Sequence, residues 1–492
     1  MRLHEGIVII AVAAVSGCSG TPDVASAGSE TDVPGDGTTS GSTGATSREP
    51  GSSTDAATSA DVDGGSEDTG DDSTTGSDGG PCDPSSQADL SNFGLGDAMS
   101  HPPPFDGPAA YSPPGDWLPG SDAFVGLGQS YTDPVFGTDI TRITAIHPES
   151  SNSQIYVRNG FWSADGSLFM HHRNGGCPGD LVDTKTGEVV RENVPGCFRA
   201  SFDPVDPDVL YYPSGASIMR YDVSRGEAAP LKDFGGELQS LGGSVDYIDR
   251  SGRYFVVNVA GTVHVWDKQD DALYGGTLSG AQVGTGWIGI SPDANYLIVP
   301  GDFEFRSYAI DHETRTVDTN GTLFWTLCGD HADIVSTSDG KTYLVAFECW
   351  SEAAIYRVDV TIPQTGNDDA GRDKQRSDNV RLIDLTFSES GHISCAAAGR
   401  YRDWCFYSAT TGDDTFANPG PWRPYKQEIV AMQAVEPFAV RRLAHHRSRS
   451  IYSSYWRQPR VSASWCGNVV GWVSNYGFDG SDYADAYVIH MP

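Results

Sequence analysis

One pattern of apolar and polar positions recurs along the chain. "FWSADGSLFMHH" (161–172), "SVDYIDRSGRYFVVN" (244–258), "WIGISPDANYLIVPG" (287–301) and "ADIVSTSDGKTYLVAF" (332–347) share it. Each reads as a short strand, a tight turn carrying Asp with Gly or Asn, and a second apolar strand. Such turns supply the positive φ that hairpins need. A third strand follows in "GTVHVWDKQ" (261–269), "FRSYAIDHET" (305–314) and "AAIYRVDVT" (353–361). Two further stretches, 198–223 and 461–491, fit more loosely, and no amphipathic helical pattern separates the units. Four-stranded antiparallel units repeating every ~40–50 residues predict a β-propeller. The blades fall near 140–190, 198–235, 243–280, 286–322, 331–385, 392–444 and 458–491. Seven is the expected number, with six or eight open, and two packed β-sandwiches are the competing all-β arrangement. The loop at 363–379 is polar, while 410–426 holds Trp422 and Tyr425 among prolines, as a rim loop for ligand contact would.

Composition divides the chain in three. "MRLHEGIVIIAVAAVSGCSG" has Arg2, then an apolar run of nine residues from Ile7 to Val15. That is too short for a membrane span, which needs roughly 20 residues, and suits a secretory signal. Val15-Ser16-Gly17-Cys18 resembles the lipobox of bacterial lipoproteins. The resemblance implies a signal peptide at 1–17 and lipidation of Cys18. Ser19, not Asp, follows the cysteine, as in lipoproteins sorted to the outer membrane or cell surface. Residues 19–81 lack aromatics and hold thirteen acids against one base, Arg48, which supplies −12 of the net −34. A segment so polar cannot bury enough apolar surface to offset chain entropy. We read 18–81 as the lipid anchor and a disordered tether, with a coil span of roughly 45 Å. All eleven Trp lie beyond it, in 82–492, which forms the propeller domain.

Setting Cys18 aside leaves eight cysteines. In an exported protein an even number implies disulfides. Eight cysteines allow 105 pairings. Proximity suggests Cys177–Cys197, Cys328–Cys349 and Cys395–Cys405, which leaves Cys82 with Cys466.

In a propeller the innermost strands line the central channel. His331 ("GDHAD") and His392 ("SGHIS") open two of them, and "RRLAHHRSRSIYSSYWRQPR" (441–460) leads into the last blade. That stretch holds six arginines, His445 and His446, and no acid, in a chain of net charge −34. His331, His392, His445 or His446, and Gln458 as an oxygen donor, form the expected set for a divalent metal. The competing reading is that these side chains cap strands by hydrogen bonding. Of His171 and His172, adjacent in one strand, only one could face the channel. Arginine binds carboxylate or sulfate through a planar fork. Arg442, Arg447 and Arg460 are thus expected to hold an anionic ligand, unless they pair with acids of neighbouring blades. Motifs for nucleophile elbows, zincins and phosphate loops are absent, and the acidic charge argues against nucleic acid.

"FWSADGSLFM", "GDHAD", "GHIS" and "RRLAHHRS…QPRVSAS" together resemble the seven-bladed oligogalacturonate-lyase-like and ulvan-lyase-like propellers, over roughly 130–492. The resemblance implies β-elimination across a uronic acid, with His392 and Arg447 as catalytic residues. In the metal-dependent members histidines and a glutamine hold the metal. The histidine pair that should follow the glutamine is absent here, and Arg460 stands in its place. Two functions follow: a lipoprotein whose channel mouth binds a glycan or protein, or a lyase acting on an acidic polysaccharide.

Overall fold

The computed structural model describes residues 82–492, except 84–85, 99, 101–123, 147–152, 174–175, 197–198, 243–244, 280–286, 302–303, 327–330, 349–352, 365–378, 386–388, 412–422, 449–454 and 479–482. The expected signal peptide and tether, Cys18, Trp422, Arg449, Cys197, Cys328 and Cys349 lie outside the described residues.

The chain forms a seven-bladed β-propeller of antiparallel sheets. Among the described residues helix is confined to single 3-10 turns such as Asn159–Phe161, Gly399–Tyr401 and Tyr455–Arg457. In blades 1, 3, 4 and 5 the hairpin turn is built by the residues the pattern singled out. Asp165 accepts hydrogen bonds from the Ser167 amide and from the Ser163 and Ser167 hydroxyls. Asp249, Asp293 and Asp339 do the equivalent work in blades 3, 4 and 5. The residue that must turn is glycine in three of these hairpins, Gly166, Gly252 and Gly340, and Ala294 in the fourth, all at positive φ.

The ring closes differently from the expectation. Residues 139–142 are not the first strand of blade 1. Ser130–Thr132 and Asp139–Arg142 instead complete the last blade, with Thr141 paired to Val488 and Arg142 to Tyr487. Arg142 meets Asp485 there in a buried salt bridge of 2.6 Å. The first blade therefore begins at Ser153. A disulfide between Cys82 and Cys466, 384 residues apart, fastens the domain entry to the same last blade. Cys395 is bonded to Cys405 across adjacent strands of blade 6. Cys177 is also disulfide-bonded.

Neighbouring blades are stapled along their inner strands by short polar side chains. The Asp333 carboxylate accepts the Cys395 amide at 2.7 Å. The Ser394 hydroxyl accepts the Ala463 amide at 3.0 Å, and the Ser462 hydroxyl donates to the Arg158 carbonyl at 2.9 Å. These bonds satisfy backbone groups that would otherwise be buried unpaired.

The 3-10 turn Asn159–Phe161 of blade 1 ties together inner strands from several blades. The Asn159 amide nitrogen donates to the carbonyls of Cys395 in blade 6 and Ala463 in blade 7, both at 2.9 Å. The backbone amides of Asn159 and Gly160 donate to the Asp246 carboxylate of blade 3, at 2.7 and 3.0 Å. Gly160 fits because it has no side chain: a Cβ there would lie 2.1 Å from the Ser201 hydroxyl and 2.9 Å from Asp246. A cavity of about 10 Å³, room for about one water, lies against Asn159, Asp246, Asp333 and Trp465.

Candidate functional site

Four residues gather where the inner strands of blades 1, 5, 6 and 7 begin or adjoin. His331 precedes the strand Asp333–Ser336, and His392 lies in Glu389–Cys395. Arg460 precedes Ser462–Ala463, and Tyr156 follows Ser153–Gln154. The two imidazoles stack, with centroids 4.2 Å apart and planes 16° from parallel. The Tyr156 ring meets His392 edge-on at 5.8 Å.

His331 is half-buried, and its Nδ1 lies 2.8 Å from the Gly391 carbonyl. A carbonyl only accepts, so Nδ1 carries a proton. Gly391 is required there, because a Cβ would lie 2.1 Å from the Ser408 carbonyl oxygen. His392 is fully buried, and neither ring nitrogen has a hydrogen-bond partner among the described residues. Its pKa is held well below the usual 6.5, first by burial and then by His331 and Arg460. His392 is therefore neutral at physiological pH. Arg460 is also fully buried, at positive φ, with its guanidinium 5.3 Å from the centroid of the Trp456 ring and its Nε 3.3 Å from the Gln458 carbonyl. Tyr156, Trp456 and Gln458 are half-buried.

The remaining predicted residues lie elsewhere. His445 ends Val440–His445, which is the outermost strand of blade 6 rather than the start of an inner one. An alternating apolar pattern reads the same in a first and a fourth strand, so the sequence did not separate them. His445 packs against Phe136 and lies 4.0 Å from Asp133. His446 accepts the Ser448 amide at 3.0 Å. Arg442 is fully buried in a two-bonded pair with Glu428, at 2.6 and 2.7 Å. Arg447 is buried 3.4 Å from Asp133, and Arg441 donates to the carbonyls of Ser91, Phe93 and Gly94. Tyr425 is buried and donates to Asp97. Much of the arginine stretch thus clasps the segments at 91–95 and 131–138 onto the last two blades. Its charge is answered by internal acids and carbonyls, and Arg460 is the one predicted anion-binding arginine near the channel histidines.

The expected metal set is split by this arrangement. His331 and His392 present ring faces to each other, and the Nδ1 of His331 is engaged by Gly391. Among the described residues no group of three or more His, Cys, Asp or Glu could hold a metal ion.

Sequence reasoning missed Tyr156, Trp456 and the Asp246–Asn159 contact. Tyr156 stands just before the first repeated phrase, and Trp456 lies inside the arginine stretch, so position alone gave a signal for both. Burial raises the Asp246 pKa to about 6, against the lowering effects of Arg158 and two backbone amides.

The chain is similar in structure to oligogalacturonate lyases. One is an oligogalacturonate lyase in complex with manganese, at 14% identity and a TM-score of 0.48, covering 74% of this chain and 96% of that one. A second, from Vibrio parahaemolyticus, has 12% identity and a TM-score of 0.44 over the same shares of each chain. Kluyveromyces lactis Hsv2 matches at 11% identity and a TM-score of 0.32, over 54% of this chain and 68% of that one. No family model and no curated protein matches the chain.

Proposed function

We propose that this chain is a lipid-anchored surface propeller that binds an acidic glycan at the mouth of its channel. The observation that carries the reading is His392. It is fully buried, neutral, and without a hydrogen-bond partner at either ring nitrogen among the described residues. A buried polar group left unmatched costs roughly 1–3 kcal/mol, and a ligand bearing hydroxyl and carboxylate groups would supply the missing bonds. Arg460, whose charge is felt at His392, is of the sign that suits a carboxylate. A lipid on Cys18 would anchor the chain to a membrane.

Calorimetric titration with a galacturonate or mannuronate trisaccharide tests the reading. Binding should weaken as salt rises, and Arg460→Ala should lower affinity at least tenfold. No binding of either trisaccharide at any salt concentration would reject the glycan and direct attention to a protein partner.

A second reading is favoured by Tyr156, which meets neutral His392 edge-on. In a β-elimination a base removes the proton beside the uronate carboxylate, and the bond to the leaving glycosidic oxygen breaks. A carbon–carbon double bond forms, and the departing oxygen takes a proton. His392 would be the base, Arg460 the carboxylate partner and Tyr156 the proton donor. An ultraviolet absorbance rise from the unsaturated product, lost in Tyr156→Phe, would establish the lyase. Binding with no such rise would leave a binding protein.

A further inference from the structure

The cavity beside Asn159 is lined from six of the seven blades. Asn159 reaches it from blade 1, Asp246 from blade 3, Ile290 from blade 4, Asp333 from blade 5, Ala397 from blade 6 and Trp465 from blade 7. Two kinds of polar group face each other in this lining. Trp465 is 1% exposed, and its indole N–H has no hydrogen-bond partner among the described residues. The Trp465 carbonyl accepts the amides of Ala397 and Ala398, at 3.0 and 2.9 Å, which fixes the backbone that carries this ring. The other kind is carboxylate. Asp246 accepts the amides of Asn159 and Gly160. Asp333 is buried and accepts the Ile334 amide at 2.8 Å and the Cys395 amide at 2.7 Å. Each of the four oxygens thus takes one backbone hydrogen bond and has capacity for another. Burial raises the pKa of both carboxyls against the lowering effect of these amides, and the Asp246 charge raises that of Asp333 further. The two groups therefore feel each other across this space.

An occupant of this cavity has to satisfy both kinds of group. An indole N–H only donates, so the occupant must accept there, which a bare cation cannot do. An ionised carboxylate only accepts, so the occupant must donate to Asp246 and Asp333. Water does both, and a cavity of about 10 Å³ has room for about one. We infer that this cavity is a site for one structural water, which accepts the Trp465 N–H and donates to the carboxylates of Asp246 and Asp333. The water joins side chains of blades 3, 5 and 7 at the centre of the ring, beside the contacts that Asn159 makes from blade 1. It also removes the cost of leaving the indole N–H unmatched in the interior.

A crystal structure of the full chain tests the site on the unaltered protein. One water should lie within about 3.2 Å of Trp465 Nε1 and of a carboxylate oxygen of each aspartate. A cavity without density, or an ion with oxygen ligands at about 2.4 Å, would overturn the inference. Melting temperatures of the full chain then test the link. Trp465→Phe keeps an aromatic ring and removes the donor, and Asp333→Asn removes the charge and one acceptor. If one water joins the two side chains, the double variant should lose roughly 1–3 °C less than the two single losses added together. Strictly additive losses would overturn the link between the blades. Should Trp465→Phe not fold, the density in the wild-type chain decides.

Discussion

The disulfide between Cys82 and Cys466 spans 384 residues, and that between Cys395 and Cys405 spans 10. The difference gives a sharp prediction, because a crosslink stabilises chiefly by restricting the unfolded chain, and more so for longer loops. In the chain-entropy relation the longer loop is worth about 6 kcal/mol at 25 °C and the shorter about 3 kcal/mol. A domain of ~410 residues has an unfolding entropy near 0.9 kcal/mol/K, so these losses correspond to roughly 7 °C and 3 °C in melting temperature. Cys395, Cys405 and Cys466 are buried and Cys82 is half-buried, so packing losses on alanine replacement should if anything be smaller for the long loop. The assay is differential scanning calorimetry of the wild-type chain and the two double variants, Cys82→Ala/Cys466→Ala and Cys395→Ala/Cys405→Ala, at one scan rate. The first variant should melt several degrees below the second. Equal shifts, or a larger shift for the short loop, would refute the argument that ring closure is the source of the stability.

Glu428→Gln should cost about 3–5 kcal/mol, because it leaves the fully buried Arg442 charge without its carboxylate; Glu428→Gln/Arg442→Met should recover most of the lost melting temperature. Gly160→Ala should destabilise through its 2.1 Å approach to the Ser201 hydroxyl, and adding Ser201→Ala should relieve part of the effect in the same melting assay. The Asp246 pKa is raised to about 6 in the fold from an ordinary value of 3.8. Its contribution to stability is therefore fully present below about pH 4 and lost as pH rises through 6. Wild-type stability should fall relative to Asp246→Asn across that window, and parallel curves would show that Asp246 does not titrate there. Cys18→Ala should release the protein from membranes, checked by fractionation after a carbonate wash.

The blade count, the hairpin turns and the Cys395–Cys405 disulfide were legible because each depends on local signals, whereas Cys82–Cys466 was reached only by elimination. Asp165, Asp249, Asp293 and Asp339 sit at fixed offsets from a strand, and Gly166, Gly252 and Gly340 mark a backbone need that few other residues meet. Strand order was less legible. Asp139–Arg142 looks like any short strand, and only its long-range pairing with Tyr487 and Val488 assigns it to the last blade. The same limit moved His445 and His446 from an expected inner strand to the end of an outer one. The arginine stretch was visible as charge, but the partners that absorb most of it, Glu428, Asp133 and the carbonyls at 91–94, are either in another strand or hundreds of residues away in sequence. His331 and His392 meet because one precedes and the other lies within the inner strands of adjacent blades. Tyr156 joins them only through closure of the ring.

The most direct test of ligand binding at the channel mouth is hydrogen–deuterium exchange of the full chain with and without a saturating galacturonate trisaccharide. Slowed exchange should be confined to peptides covering 153–158, 331–336, 389–395 and 455–462, the segments that carry Tyr156, His331, His392, Trp456 and Arg460. Protection centred on the outer strands, or on the hairpin turns near Asp165 and Asp293, would place the ligand elsewhere and contradict the account.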